Sequence, residues 1–306
     1  MTRSLLLAVG AMLVLQACDA PPRGDASTSA DTFTSDRITV VTRGEGPDIV
    51  LVPGLASHRD VWAGMADSLD DRYRLHLVQV KGFAGLEPDS NVNGPVSSPV
   101  AEEIARYIEE ADLERPAVIG HSMGGSIAMM IAARHPDRVG RLMVVDMFPN
   151  LGAVFGPPNS TPQQIRAVAD TFSARILADT AGAPNGMLEQ MFPGMTRIDS
   201  MRPKLMEGVR GTDRRVAANA FHELIVTDLT PELSRITVPV TVLYVHPPEA
   251  PMPPEQYDQA MQQAFSGMRQ ARIVRVEDSN HFIMWDQPAR FIAEVGMLMQ
   301  AGASPR

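Results

Sequence analysis

Cysteine is nearly missing from this chain: one, Cys18, in 306 residues. A lone thiol excludes any disulfide within the chain, and no Cys/His spacing of the metal-binding kind accompanies it, so no metal is expected. Basic residues are also short, 27 Lys and Arg against 36 Asp and Glu for a net charge of −9, and they form no cluster. With no basic patch to meet phosphates, nucleic acid is not expected as a partner. The apolar run at residues 5–15 is too short for a membrane span. At about 1.5 Å per helical residue it covers about half of a hydrocarbon core of about 30 Å. No internal repeat is visible.

The N-terminal segment instead has the parts of a signal. Arg3 precedes the apolar run, and Leu15-Gln16-Ala17-Cys18 closes it. This pattern resembles a bacterial lipoprotein signal, which implies that residues 1–17 are removed and that Cys18 carries the lipid. Acyl chains there would hold the protein at a membrane without spanning it, on the periplasmic side of the bacterial cell envelope. Asp19 after the cysteine resembles an inner-membrane retention signal. Residues 18–36 are rich in Pro, Ser, Thr, Ala and Asp, and read as a flexible tether.

The remainder, residues 37–306, is long enough for one large α/β domain with an insertion. Apolar runs at 38–43, 49–52, 75–80, 116–119 and 141–145 read as strands, with helical patterns at 61–69, 101–111 and 125–135 between them. Strands alternating with helices demand right-handed crossovers and a mostly parallel sheet flanked by helices. The alternation stops after Asp146. Residues 147–230 carry helical pieces, many methionines and Gly/Pro punctuation but no convincing strand, which suits a helical cap over the sheet edge. It resumes with strands at 240–245 and 272–276 and helices at 255–265 and 288–299.

Gly120-His121-Ser122-Met123-Gly124 lies between a strand and a helix, the place of a nucleophile elbow that lifts a serine hydroxyl above a sheet. A serine hydroxyl needs a base, and His281, past the last strand and backed by Phe282-Ile283-Met284-Trp285, is the candidate. Leu51-Val52-Pro53-Gly54-Leu55, the elbow and Asn280-His281-Phe282, in that order, resemble the α/β-hydrolase fold serine hydrolases over about residues 38–300. The resemblance implies a carboxylic ester hydrolase without a cofactor. Ser122 would be its nucleophile and His281 its base, with the N–H groups of Leu55 and Met123 forming the oxyanion hole. Two acids remain open for orienting the imidazole. Asp146 ends the strand after the elbow helix and is preferred; Glu249 lies in the proline-rich loop at 247–251. His246 ends a strand near the same edge, while His121 is expected to pack beside the turn. Methionines 187, 191, 195, 201 and 206 belong to the core or make an apolar, adaptable pocket for a small apolar or moderately polar acyl substrate. Amide, lactone and carbon–carbon bond hydrolysis, or a binding lipoprotein without turnover, are the alternatives. Oligomeric state is not readable.

Overall fold

A computed structural model describes residues 33–179, 186–247, 250 and 252–301. The signal at 1–17, Cys18, the tether up to residue 32 and Glu249 lie outside the described residues.

Seven strands make one sheet: β1 (Ile38–Arg43), β2 (Asp48–Val52), β3 (Arg74–Val80), β4 (Ala117–His121), β5 (Arg141–Val145), β6 (Val240–Tyr244) and β7 (Ala271–Arg275). Their order is β1-β3-β2-β4-β5-β6-β7. β1 runs antiparallel to β3, and every other pairing is parallel. A central parallel strand is covered by helices on both faces, so its side chains must be apolar on both. Ile49, Val50, Leu51 and Val52 are accordingly all buried, as are Val118 and Ile119 in β4 and Leu142 to Val145 in β5.

The helices are α1 (Ala63–Leu69), α2 (Ser97–Glu110), α3 (Met123–Arg134), α4 (Gly152–Phe155), α5 (Pro162–Ala178), α6 (Met187–Met191), α7 (Arg202–Arg210), α8 (Arg214–Val226), α9 (Pro254–Ala264), α10 (Ile283–Asp286) and α11 (Pro288–Gln300). α3 is buried from Met123 to Ala133, and its Gly, Ala, Ile and Met side chains are apolar all round, as a helix enclosed by its neighbours requires. The periodic residues Val61 and Trp62 lie in a tight 3-10 turn, Arg59–Trp62, that leads into α1.

Helices α4 to α8 intervene between β5 and β6. The chain leaves and returns through one neck, where Asn150 bridges Asp228 and the Leu229 N–H donates to the Pro149 carbonyl at 2.9 Å. Within this segment α5 lies along α8.

One carboxylate ties the segment to the sheet layer. α2 begins at Ser97, four residues before the apolar pattern predicts, and no side chain of its own caps it. Its free N–H groups are met instead by Glu223 of α8. Oε2 accepts from Val96 N at 2.6 Å and Ser97 N at 2.5 Å, and Oε1 accepts from Ser98 N at 2.8 Å. A buried anion on a helix N-terminus satisfies the orphan donors and meets the positive end of the helix dipole. Glu223→Gln keeps the shape but removes the charge and turns an amide N–H₂ toward backbone donors. A loss of about 2–4 kcal/mol is expected, read as a fall of about 5–10 °C in the calorimetric melting temperature.

Candidate active site

Register brings three strand ends level. Val52 of β2 pairs with Gly120 of β4, and His121 pairs with Val145 of β5, so the chains emerge side by side at the carboxyl edge of the sheet. Ligands of open α/β sheets bind at this edge. Each chain turns there through a residue with positive φ: Ala56 at 54°, Ser122 at 53° and Asp146 at 50°. Such backbone is costly outside glycine, about 1–3 kcal/mol each, and gathers where function holds it in place.

Ser122 connects β4 to α3. Its N–H donates to the Val145 carbonyl at 2.8 Å, and its own carbonyl accepts from Gly125 N at 2.7 Å. The turn is so tight that a Cβ on Gly120 would lie 1.9 Å from the Gly124 carbonyl oxygen. A Cβ on Gly124 would lie 2.2 Å from that of Val52. Neither position admits a side chain. Met123 is the first residue of α3, so its N–H is among those the helix leaves free, and Leu55 lines the same cavity as Ser122.

His281 is held from several sides. Its Nδ1 meets Asp146 Oδ2 at 2.6 Å, while Asp146 Oδ1 accepts the Val245 N–H at 3.0 Å. The neighbouring Asn280 donates from its backbone N to Asp286 Oδ2 at 2.7 Å and from Nδ2 to the Gly194 carbonyl at 2.8 Å. Phe282 N donates to the Met195 carbonyl at 3.0 Å. The Phe282 ring stacks on Trp285 at 4.4 Å, and the indole N–H of Trp285 reaches the Val61 carbonyl at 2.7 Å.

His121 packs beside the elbow as the sequence suggests, and it makes one further contact. Its Nε2 lies 3.0 Å from the His281 carbonyl oxygen and so carries the proton, tying the residue before Ser122 to the loop that bears His281. Burial, and then the nearby His281 ring, push the His121 pKa well below the ordinary histidine value, so it is a neutral donor.

Ser122, Asp146 and His281 share a cavity of about 290 Å³. Its far wall comes from the helical segment: Phe148, Leu151, Phe155, Met191, Met195, Phe221 and Leu224. Phe155, Phe172 and Phe221 form a triangle of edge-to-face rings with centroids 5.4–5.7 Å apart. Of the methionines weighed as core or pocket, Met191 and Met195 face the cavity, whereas Met206 is core. His246 is not among the lining residues; its Nε2 meets the Met252 carbonyl at 3.0 Å, and its ring packs on Tyr257. The sequence reading missed the aromatic wall and Tyr257 of α9, because an aromatic on an amphipathic helix carries no mark of which side it will line. Among the described residues, no group of three or more His, Cys, Asp or Glu side chains is arranged to hold a metal ion.

Comparison with known proteins supplies the family and the fold. Residues 49–294 match the model of the alpha/beta hydrolase family. The pimeloyl-[acyl-carrier protein] methyl ester esterase of Nitrosomonas europaea is 26% identical over 264 residues, which span 84% of this chain and 97% of that one. The enzyme of the same name from Aeromonas hydrophila is 34% identical over 119 residues, 37% of this chain and 42% of its own. The fold recurs in the enol-lactonase of Burkholderia xenovorans, with a TM-score of 0.70 at 19% identity over 86% of this chain and 96% of that one. A family match across nearly the whole sheet, joined to a serine on a strained strand-to-helix turn, leads to one conclusion: the chain belongs to the alpha/beta hydrolase family and is a hydrolase.

Proposed function

We propose that this hydrolase cleaves a carboxylic ester through an acyl-enzyme. The observation that carries the reading is the 2.6 Å contact of His281 Nδ1 with Asp146 beside a cavity shared with Ser122. With Nδ1–H donating to Asp146, the lone pair of His281 is on Nε2, the atom a general base must offer to a serine hydroxyl. Ser122 Oγ attacks the ester carbonyl as its proton passes to Nε2, and the Asp146 carboxylate stabilises the imidazolium. The carbonyl oxygen becomes an oxyanion, met by the N–H groups of Leu55 and Met123; one such donor is worth about 2.7–4 kcal/mol. Collapse breaks the bond to the alkoxy oxygen, which takes the proton from Nε2 and leaves as the alcohol. Water then repeats the cycle on the acyl-serine and releases the acid.

The cavity supports a small apolar acyl group. At about 30 Å³ for each water-sized group, about 290 Å³ holds about ten non-hydrogen atoms. Its walls are Phe, Leu and Met, and no Lys or Arg lines it among the described residues. The esterase names of the sequence relatives support the same reaction class.

Anchoring belongs to the same proposal: Cys18 carries the lipid, which holds the enzyme at the periplasmic face of a bacterial membrane. The support is the apolar run at 5–15 closed by Leu15-Gln16-Ala17-Cys18, which holds the sole cysteine, and the polar stretch that follows it.

Three measurements test these assignments. Ser122→Ala is expected to lower kcat by about 10⁴-fold or more on short-chain 4-nitrophenyl esters and to abolish fluorophosphonate labelling. A labelled, active variant would remove Ser122 from the mechanism, and a wild type that cleaves only amides or lactones would change the substrate class. In Asp146→Asn the Val245 N–H selects the amide oxygen, which leaves the amide N–H₂ facing His281 Nδ1. That forces the proton onto Nε2 and removes the base, so kcat is expected to fall about 10⁴-fold with KM little changed. Cys18→Ser is expected to move the enzyme from the membrane to the soluble fraction or to leave the signal uncleaved; an unlipidated wild type in mass spectrometry would refute the anchor.

A further inference from the structure

Tyr257 has no part in the steps above, yet it lines the cavity from α9, on the side of Asp146. Its ring is clamped. It stacks on Tyr244 at 6.1 Å and meets Phe148 and His246 edge-to-face at 6.1 and 5.2 Å. Tyr244 is itself fixed, because its hydroxyl donates to Asp258 at 2.7 Å and Asp258 is paired with Arg275 at 2.8 Å. The Tyr257 hydroxyl, in contrast, has no hydrogen-bond partner among the described residues. Tyr257 is only half-buried and its hydroxyl is not sealed from solvent, so water meets it, and a substrate oxygen in the cavity would take that water's place.

The charges around it select the acceptor. Burial first, and then the Asp146 carboxylate, push the phenol pKa up, which keeps the proton on and makes the group a donor at neutral pH. The same carboxylate repels an anion, and among the described residues no Lys or Arg of the lining compensates it. An uncharged oxygen fits: a keto, ether or hydroxyl oxygen.

We propose that Tyr257 is a specificity-determining residue whose hydroxyl donates to an uncharged oxygen on the acyl chain, so that the enzyme prefers oxygen-bearing esters to plain alkanoates of the same length. The inference rests on the ester reading above. It is tested with 4-nitrophenyl heptanoate and the series in which an ether oxygen replaces one chain methylene at each position from C3 to C6, plus one member ending in a carboxylate. For Tyr257→Phe, kcat/KM is expected to drop about tenfold more on one oxa ester than on heptanoate, carried mainly by KM, the scale of one neutral hydrogen bond. The carboxylate ester is expected to be the poorest substrate of both proteins. An equal factor across the whole series, or a preferred carboxylate ester, overturns the proposal. Should the wild type cleave none of the series, the ester reading fails by itself. The matching methyl ketones, with and without the ether oxygen, then decide on Tyr257 by calorimetric binding to wild type and Tyr257→Phe: selective loss of the oxa ligand supports it, and equal affinities refute it.

Discussion

The close approach of the β4–α3 turn to β2 is the constraint on which the rest depends. With no Cβ at Gly120 or Gly124, α3 packs against the carbonyl of Val52, and Ser122 is forced into a left-handed backbone above the sheet. The level ends of β2, β4 and β5 then place Leu55 and Asp146 on either side of it. A side chain at either glycine would push α3 away from β2 and dissolve this arrangement, whatever the rest of the core did. The two positive-φ neighbours, Ala56 and Asp146, belong to the same solution, the chain turning directly after β5 at Asp146 and four residues after the end of β2 at Ala56.

The His281 side is built differently. No single tight turn holds it; several modest contacts do, from Asp146, His121, Gly194, Met195 and, through Asp286, Thr196. Three of these partners come from the helical segment, so the orientation of the imidazole and the shape of the cavity wall are set together. The His121 contact links both constructions. It runs from the last residue of β4 to the main chain of His281, and a neutral ring there keeps a positive charge away from the group read as the base.

Much of this was legible in the chain, for physical reasons that differ by element. Arg141–Val145 stands where its apolar run ends, because a buried parallel strand has no polar face to blur its limits, and Ile38–Arg43, the antiparallel edge strand, ends where Gly44 turns the chain at a φ of 76°. The elbow was legible because its glycines are sterically obligatory. The start of α2 was not: Ser97 to Val100 have no cap of their own, and the group that completes them is 126 residues away from Ser97 in sequence. Of the two acids left open, Asp146 stands against His281 and Glu249 lies outside the described residues. The lining of the cavity was least legible, since Phe155, Phe221 and Tyr257 come from three helices whose mutual placement no local pattern encodes.

α8 carries two obligations on adjacent residues. Phe221 and Leu224 form part of the cavity, while Glu223 between them closes the end of α2. Divergence along this helix is therefore channelled. Changes at Phe221 and Leu224 reshape the cavity without touching the clasp, whereas a replacement helical segment without a carboxylate at position 223 would bring a new lining and leave the start of α2 open. Substrate range in this architecture is free to change one side chain at a time and resists wholesale exchange.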